Sequence, residues 1–314
     1  MIWQPSATFT ALKKRAEVLA AIRDFFATRH VLEVETPLLC QHGVTDTHIQ
    51  SFSCGGRYLQ TSPEYAMKRL LAAGSGSIYQ ITKAFRQEEA GRFHNPEFTM
   101  LEWYRVGFDH LQLMEEVDAL LQQILGCDQS EKITYQQLFE KHLTINPHTI
   151  SLAELPHLAE HHHLELNSDT TSFTKDDWLQ LLLTHLIEPK LGFSCPLFIY
   201  HFPASQAALA KINTDAEGQL IAERFEVYVN GMELANGFHE LQESDEQRQR
   251  FEQDQQQRQT LKLPVMSVDQ RLLAALDKGL PACAGVALGL DRLIMAVLEK
   301  KHLAEVIAFD WQRA

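Results

Sequence analysis

The sequence lacks several features that mark whole classes of protein. Its 314 residues contain no apolar run that approaches the roughly 20 residues needed to cross a bilayer. The N-terminus shows no charged segment followed by an apolar one, so no secretory signal is predicted. With 28 Lys plus Arg against 41 Asp plus Glu, the formal net charge of −13 has the wrong sign for a protein that binds along an RNA backbone. We therefore expect a cytoplasmic protein without a membrane partner.

Cysteine and histidine give no sign of a metal centre. The five cysteines are odd in number and lack the spacing of metal ligands. They are Cys40, Cys54, Cys127, Cys195 and Cys283. Reduced, structural thiols are the expected state. The histidines at 161 to 163 lie in a polar stretch with no acid or thiol at ligand spacing, which favours a surface run over a metal site.

Residues 78 to 105 carry the most informative pattern in the chain. Side chains on two faces alternate from 78 to 85 and again from 98 to 103, which predicts two antiparallel strands joined by a polar loop. The first strand leads into Arg86 and Glu88. A guanidinium fork and a carboxylate held together on fixed backbone suit a phosphate chain and its metal. The alternative is a charged hairpin tip that is only solvated.

The other segments are interpreted from periodicity and turn signals. Helices are predicted at residues 10–29, 64–73, 110–126 and 243–264. Strands are predicted at residues 31–35, ended by Pro37, at 197–203, and at 225–229 before the turn Asn230-Gly231. The helix at 243–264 has almost no apolar face. It is either a partner surface or a solvated helix held by neighbours and charge pairs.

Three of these segments together resemble the class II aminoacyl-tRNA synthetases. FRQEE, a loop and RFHNPEFTMLE are similar to motif 2, in which Phe-Arg-x-Glu opens the loop. GVALGLDRLIMAVL, with Arg292, is similar to motif 3. The first helix, strand and proline resemble motif 1, which builds the homodimer in that family; the alternative is an ordinary helix-strand unit. The sequence of these segments is most similar to that of the lysyl branch and of its truncated relatives, the elongation factor P–(R)-β-lysine ligases.

The resemblance implies an α+β fold, with an antiparallel β-sheet flanked by helices and no N-terminal OB-fold. The resemblance begins within about the first 15 residues, whereas in the lysyl-tRNA synthetases an anticodon-binding OB-fold precedes the matching segment. We therefore predict one catalytic domain over residues 1–314 with a mainly helical insertion at about 127–196. No anticodon recognition is expected.

The resemblance also implies a set of site residues. Those expected to bind ATP are Arg86, Gln87, Glu88, Asn95, Glu233, Leu234, Gly289 and Arg292. Arg86 and Arg292 are the catalytic pair, on the α- and γ-phosphates. Those expected to bind the amino acid are Ser62, Pro63, Glu64, Tyr104, Glu240 and Ala287.

Two of these assignments have alternatives. Mg²⁺ is expected on Glu233 and Glu240, because carboxylate oxygens suit it, although Glu240 is equally suited to the amine of the substrate. Glu64, at a helix start, either pairs with that amine or merely complements the helix dipole.

The predicted pocket departs from the lysyl-tRNA synthetase pattern. Ser62, Ala66 and Ala287 stand where those enzymes have Ala, Tyr and Gly, and residues 41–52 lack their Gly-Gly-Ala and Arg-Pro-Phe segments. A changed pocket beside retained ATP arginines predicts an altered substrate rather than lost chemistry.

The predicted function is an ATP-dependent ligase that acts as a homodimer. It would adenylate (R)-β-lysine, or lysine, and transfer it to a lysine ε-amino group of translation elongation factor P. Two alternatives stay open. One is a free-standing lysine-activating enzyme that acts on tRNA or a small amine. The other is a catalytically silent regulatory paralogue, against which the retained Arg86, Glu88, Glu233 and Arg292 argue.

Overall fold

The structure is a computed structural model that describes residues 3–87, 90–164 and 170–314. The chain divides into two compact units, one of Met1–Gly126 with His239–Ala314 and one of Cys127–Phe238. The helices of the described residues are α1 (Phe9–Ala27), α2 (Glu64–Ala72), α3 (His110–Leu125), α4 (Tyr135–Leu143), α5 (Glu154–His161), α6 (Lys175–Leu182), α7 (Ser244–Thr260), α8 (Gln270–Lys278) and α9 (Leu290–Val297). That the whole chain acts as a single catalytic domain stays a prediction.

The strands complete the α+β pattern that the sequence predicts. They are β1 (Leu32–Glu33), β2 (Leu39–Cys40), β3 (Ser53–Cys54), β4 (Arg57–Leu59), β5 (Ile78–Phe85), β6 (Glu97–Val106), β7 (Glu131–Thr134), β8 (Leu197–Pro203), β9 (Ile212–Thr214), β10 (Leu220–Val229), β11 (Met232–His239) and β12 (Cys283–Gly289). Among the described residues, every helix is too short or too polar to span a bilayer.

The first unit is built on four strands in the order β1-β5-β6-β12. β1 is parallel to β5, whereas β5 with β6 and β6 with β12 are antiparallel. The predicted hairpin is therefore confirmed, with Phe85 opposite Glu97 at the end that leads into the loop. The predicted strand at 31–35 is shorter, because only Leu32 and Glu33 pair before Pro37, which cannot donate a ladder hydrogen bond.

Alternation along β6 gives this sheet two different faces. Trp103 packs on one face against Phe26 of α1, with ring centroids 5.3 Å apart, and Tyr79 stacks on the same Phe26 at 4.4 Å. The neighbours of Trp103, Glu102 and Tyr104, therefore lie on the opposite face. One face of the sheet forms core with helices, which leaves the other for polar side chains.

Helix α7 is mostly polar but is not simply solvated. Gln247, Phe251 and Arg258 are buried along it, and the helix packs against α8. Arg258 is fully buried and donates to the Pro264 carbonyl at 2.7 Å. The sequence pattern did not show this inward face, because Phe251 is the one apolar side chain among the three buried residues, and glutamine and arginine supply the others.

The strands of the second unit follow the order β11-β10-β8-β7, and β9 pairs with the first residues of β10. Its pairs are antiparallel except for β7 with β8. Asn230 and Gly231 have φ angles of 52° and 71°, which confirms the predicted two-residue turn between β10 and β11. Residues 127–196 contribute α4, α5, α6 and β7, whose apolar side chains pack with those of β8 into one core.

Candidate functional site

The polar face of β6 carries a buried carboxylate with two hydroxyl partners. Glu102 is only 2% exposed. Ser62 Oγ donates to its Oε2 at 2.6 Å, and Tyr104 Oη donates to its Oε1 at 2.8 Å. The same Ser62 Oγ accepts from the Glu64 backbone N–H at 3.0 Å, which fixes the start of α2 beside the strand. The Ser62-Pro63 turn thus positions two acidic side chains at one place.

A buried lysine joins two further carboxylates to this cluster. Lys68, one helical turn after Glu64, donates from Nζ to Glu64 Oε1 at 2.7 Å and forms an ion pair with Glu240 Oε2 at 2.6 Å. The side chains of Lys68 and Glu240 are 2% and 1% exposed. Glu240 is fixed by its backbone N–H, which donates to the Cys283 carbonyl of β12 at 3.0 Å. Two carboxylates therefore share one cation, beside the third carboxyl of Glu102.

Strand β12 closes the cluster with a glycine. Gly285 is directly opposite Tyr104 in the β6–β12 ladder. A Cβ atom at this position would lie 2.3 Å from Tyr104 Cε1 and 2.5 Å from Glu240 Oε1. Only glycine lets both groups lie against the strand. Ala287, two residues along the same face of β12, is opposite Glu102.

Burial changes the acidity of these groups. It raises the pKa of Glu102 to about 8; the nearby Glu64 carboxylate also raises this pKa, whereas the hydrogen bonds from the Ser62 and Tyr104 hydroxyls lower it. Burial also raises the pKa of Glu240 to about 7, against the opposing effect of Lys68. Burial alone would lower the pKa of Lys68, but Glu240 and Glu64 more than compensate, so Lys68 keeps its charge.

The cluster has the chemistry of an ammonium site. It contains an excess of buried carboxylates over cations, together with hydroxyl oxygens. A primary ammonium brings one positive charge and three donors, which complements this set. The face of β6 that carries Glu102 and Tyr104 therefore suits an amine-bearing substrate.

The structure brings the predicted amino-acid residues together. Ser62, Glu64, Tyr104 and Glu240 all belong to the cluster, while Pro63 is the residue before α2. Their roles in binding stay predictions.

Sequence reasoning missed three members of the same cluster, namely Lys68, Glu102 and Gly285. Two signals were present in the sequence. Lys68 is four residues after Glu64 on a helix, and Glu102 shares a strand face with Tyr104.

Arg292 lies where the helix α9 meets the loop of the hairpin. Its Nε donates to the Phe93 carbonyl at 3.2 Å, and its Nη2 is 2.6 Å from His94 Nε2. The preceding Asp291 fixes the start of α9, because its Oδ2 accepts from the Thr99 backbone N–H of β6 at 2.7 Å. Two segments far apart in the chain are thereby held at one place.

Arg86 begins the same loop on the other side. Its backbone N–H donates to the Pro96 carbonyl at 2.9 Å, which extends the hairpin by one pair. β5 ends opposite Glu97 and β12 ends opposite Met100, so Arg86 and Arg292 both leave the sheet at the same edge. A ligand at this edge would meet both guanidinium-bearing segments.

The remaining predicted ATP residues have mixed positions. Gln87 donates to the Ser51 carbonyl at 3.1 Å, and Asn95 donates to the Glu97 carbonyl at 2.6 Å while accepting from the Trp311 N–H. Gly289 ends β12 directly before α9. Glu88 lies outside the described residues. Their part in ATP binding stays a prediction.

Two predicted ATP residues belong to the second unit. Glu233 of β11 pairs with Tyr228 of β10. The next residue, Leu234, is buried where the β10–β11 ladder is irregular. Their part in binding ATP or a metal also stays a prediction.

Comparison with known proteins agrees with this geometry. Residues 4–313 match the family model described as tRNA synthetases class II (D, K and N). A protein of Yersinia enterocolitica named elongation factor P–(R)-β-lysine ligase is 54% identical over 99% of this chain and 98% of its own length. Proteins of the same name from Hamiltonella defensa and Yersinia pestis are 52% and 55% identical, over 99% and 98% of this chain and 98% and 97% of their own lengths. The chain belongs to the class II tRNA synthetases of the D, K and N group, in the branch of the elongation factor P–(R)-β-lysine ligases.

Proposed function

We propose that this protein activates (R)-β-lysine with ATP and transfers it to a lysine ε-amino group of translation elongation factor P. The observation that carries the proposal is the buried cluster of Glu64, Glu102 and Glu240 around Lys68. A cationic amino acid is the substrate class that this cluster recognises best. The family is one of ATP-dependent ligases, and the relatives in this branch are named for this acceptor and this amino acid.

The first step joins the amino acid to AMP. A carboxylate oxygen of the amino acid attacks the α-phosphorus of ATP, the bond to the β-phosphate oxygen breaks, and pyrophosphate leaves. Charge gathers on the phosphate oxygens during this displacement. Arg86 would bind the α-phosphate and Arg292 the γ-phosphate, since both lie at the sheet edge where the hairpin loop begins and ends.

The second step forms the amide. The neutral amine of the acceptor lysine attacks the carbonyl carbon of the adenylate, the bond to AMP breaks, and the amine loses a proton. No side-chain nucleophile of the protein takes part, because substrate and acceptor bring their own. The protein binds and orients the reactants, which is the largest contribution in this type of chemistry.

Magnesium fits one of the two predicted carboxylates better than the other. Glu240 Oε2 is 2.6 Å from the Lys68 ammonium, and a divalent cation there would be repelled. This contact favours the ammonium role for Glu240 over the metal role. Glu233 is a half-buried carboxylate whose oxygens suit magnesium, which when bound would screen phosphate charge.

The proposal includes a homodimer. α1, β1 and the segment that follows resemble the dimer-forming motif of the family. Leu32, Leu38 and Leu39 in this region are 55%, 40% and 41% exposed, which supports an interface there. Because the acceptor is a translation factor, the reaction would take place in the cytoplasm.

The test is a transfer assay with the intact protein. ATP, magnesium, elongation factor P and either (R)-β-lysine or lysine are incubated, and the factor is weighed by mass spectrometry. We expect a gain of one β-lysyl residue on a lysine, larger with (R)-β-lysine than with lysine. An unchanged factor together with charged tRNA would favour the free-standing activating enzyme instead. Absence of any pyrophosphate exchange would favour the silent paralogue.

A further inference from the structure

We propose that Lys68 is a positioning residue, which turns the carboxylates of Glu64 and Glu240 so that their other oxygens receive the ammonium group of the substrate. This inference rests on the proposed function. It concerns a residue that does not itself touch the reacting atoms.

The geometry around Lys68 carries the inference. Its Nζ binds Oε1 of Glu64 and Oε2 of Glu240, at 2.7 and 2.6 Å. The other oxygen of Glu240, Oε1, therefore lies toward Gly285 and the Tyr104 ring, where a methyl group at position 285 would meet it at 2.5 Å. Lys68 thus engages one oxygen of each carboxylate, and Glu240 also accepts a hydrogen bond from the Gly285 backbone. The lone pairs that remain on the two carboxylates are those that a further donor would use.

Because Lys68 is buried, its contact with Glu64 is not an ordinary surface ion pair along a helix. Exposed pairs spaced four residues apart stabilise a helix by about 0.2–0.5 kcal/mol and tolerate loss of either partner. The Lys68 side chain is 2% exposed and its ammonium lies between two acids from distant parts of the chain. Removing one partner from such a buried arrangement leaves the other charge uncompensated.

The charged groups around Glu240 come from several elements. Glu64 and Lys68 face it from α2, Glu102 and Tyr104 from β6, and a backbone hydrogen bond comes from Gly285 of β12. Of these groups, Lys68 is the one cation. Without it, buried carboxylates keep a proton to higher pH, because burial and like charges disfavour their ionised form.

This protonation gives the proposal a signature in the pH profile. A protonated carboxyl cannot form an ion pair with an ammonium, so binding of the amino acid must displace the proton. In a variant without Lys68, the KM for (R)-β-lysine should therefore fall as pH rises, over a range higher than that of the wild type. If Lys68 only stabilised the fold, its loss would not move the acidic limb of the pH profile. It would also not raise the KM for the amino acid while leaving the KM for ATP unchanged.

The experiment measures ATP–pyrophosphate exchange dependent on (R)-β-lysine between pH 6 and 9. Lys68→Met removes the ammonium but keeps much of the volume. Lys68→Gln keeps two N–H donors for the two carboxylates and protects the test if Lys68→Met does not fold. Lys68→Arg restores a cation. Lys14→Met, at a lysine whose side chain is 45% exposed on α1, is the matched control.

We expect Lys68→Met and Lys68→Gln to raise the KM for (R)-β-lysine about 10- to 100-fold at pH 7, since loss of one member of a buried charge pair has effects of this size. The KM for ATP should stay within about twofold of that of the wild type, Lys68→Arg should recover part of the loss, and Lys14→Met should behave as wild type. The acidic limb of the profile should move to higher pH in the first two variants.

Two results separate this inference from the proposed function. Wild-type protein that shows no exchange with (R)-β-lysine would contradict the proposed function. Wild-type exchange combined with an unchanged KM for the amino acid and an unmoved pH limb in a folded Lys68→Gln variant would overturn the role of Lys68. Equal rises in the KM for ATP and for the amino acid would also overturn it.

Discussion

Glu102 shows how a single buried carboxyl links the pocket to pH. It accepts from Ser62 and Tyr104 and lies near Glu64, and its pKa is raised to about 8 mainly by burial. The folded protein therefore binds this proton more tightly than the unfolded chain, in which the carboxyl has its ordinary pKa of 4.5. Stability from the protonated group is complete below that ordinary value and is lost as pH rises through about 8.

Glu102→Gln should remove this pH dependence. Without substrate, thermal unfolding followed from pH 5 to 8 should show the variant gaining on the wild type as pH rises, by about 1–3 kcal/mol at pH 8. Glu17→Gln, at a side chain 68% exposed on α1, controls for loss of a surface charge. Parallel stability curves for wild type and Glu102→Gln would show that the carboxyl is not protonated in the folded protein.

Gly285→Ala tests the closeness of the strand to the pocket wall. The added methyl group would meet Tyr104 Cε1 at 2.3 Å and Glu240 Oε1 at 2.5 Å. We expect a loss of about 1–3 kcal/mol in unfolding free energy and a raised KM for the amino acid. Val286→Ala, at the buried neighbour on the other face of β12, should lower stability without raising that KM. An equal KM in both variants would contradict the assignment of Gly285 to the pocket wall.

At the residue scale, sequence reasoning reached those positions where a resemblance was visible. Ser62, Glu64, Tyr104 and Glu240 were predicted, and the structure places them in one cluster. Lys68 was not predicted, because its role depends on the ion pair with Glu240, which is distant in sequence and becomes a neighbour only after folding. The raised pKa of Glu102 likewise depends on burial, which no local pattern reveals.

At the scale of elements, helix α7 holds the segment beside the hairpin loop. Arg258 donates from Nη1 to the Asp46 carbonyl at 2.6 Å and from Nη2 to Gln50 Oε1 at 2.8 Å. The Gln50 carbonyl in turn accepts from the backbone N–H of Gln87 at 2.9 Å. The polar helix is therefore connected through one loop to the start of the predicted ATP loop.

Arg258→Met should destabilise the protein through these lost contacts. The carbonyls of Asp46 and Pro264 would lose the charged donor that the buried Arg258 gives them, so we expect a loss of about 2–4 kcal/mol in unfolding free energy, measured by urea denaturation. Arg271→Met, at an exposed arginine of α8, should stay within about 0.5 kcal/mol of wild type. An Arg258→Met loss as small as that would show that the helix is merely solvated.

Arg292→Lys tests the element at the sheet edge. Lysine keeps the charge but loses the planar fork that binds phosphate oxygens in two places. We expect kcat/KM for ATP in the exchange reaction to fall by about 10²- to 10³-fold, with a smaller change in the KM for the amino acid. Arg271→Lys is the matched control. Unchanged exchange in Arg292→Lys would exclude this arginine from the phosphate site.

The elements themselves were largely accessible from the sequence. The hairpin β5–β6, the turn at Asn230 and Gly231 and helix α3 follow local periodicity and turn chemistry, and all are confirmed. The strand at 31–35 was predicted too long because its pairing depends on the partner strand β5 rather than on local propensity. The inward face of α7 was not visible because its anchor is an arginine.

At the scale of the whole molecule, family membership and local chemistry agree. Class II synthetase relatives cover nearly the full length of the chain, and its acidic cluster suits an amine substrate. In the proposed function, the pattern of charges would let a protein with a formal net charge of −13 bind ATP. Arg86 and Arg292 supply positive charge at one sheet edge, while the carboxylate cluster includes Glu102 on the polar face of β6.

The central claim is that the buried carboxylates select an amino acid by the terminal ammonium group of its side chain. The most direct measurement is ATP–pyrophosphate exchange with (R)-β-lysine, lysine and norleucine, which resembles lysine but lacks the terminal amine. We predict exchange with both lysines, faster with (R)-β-lysine, and at least about 100-fold less with norleucine, because buried carboxylates would then lack a partner. Comparable exchange with norleucine would contradict the account.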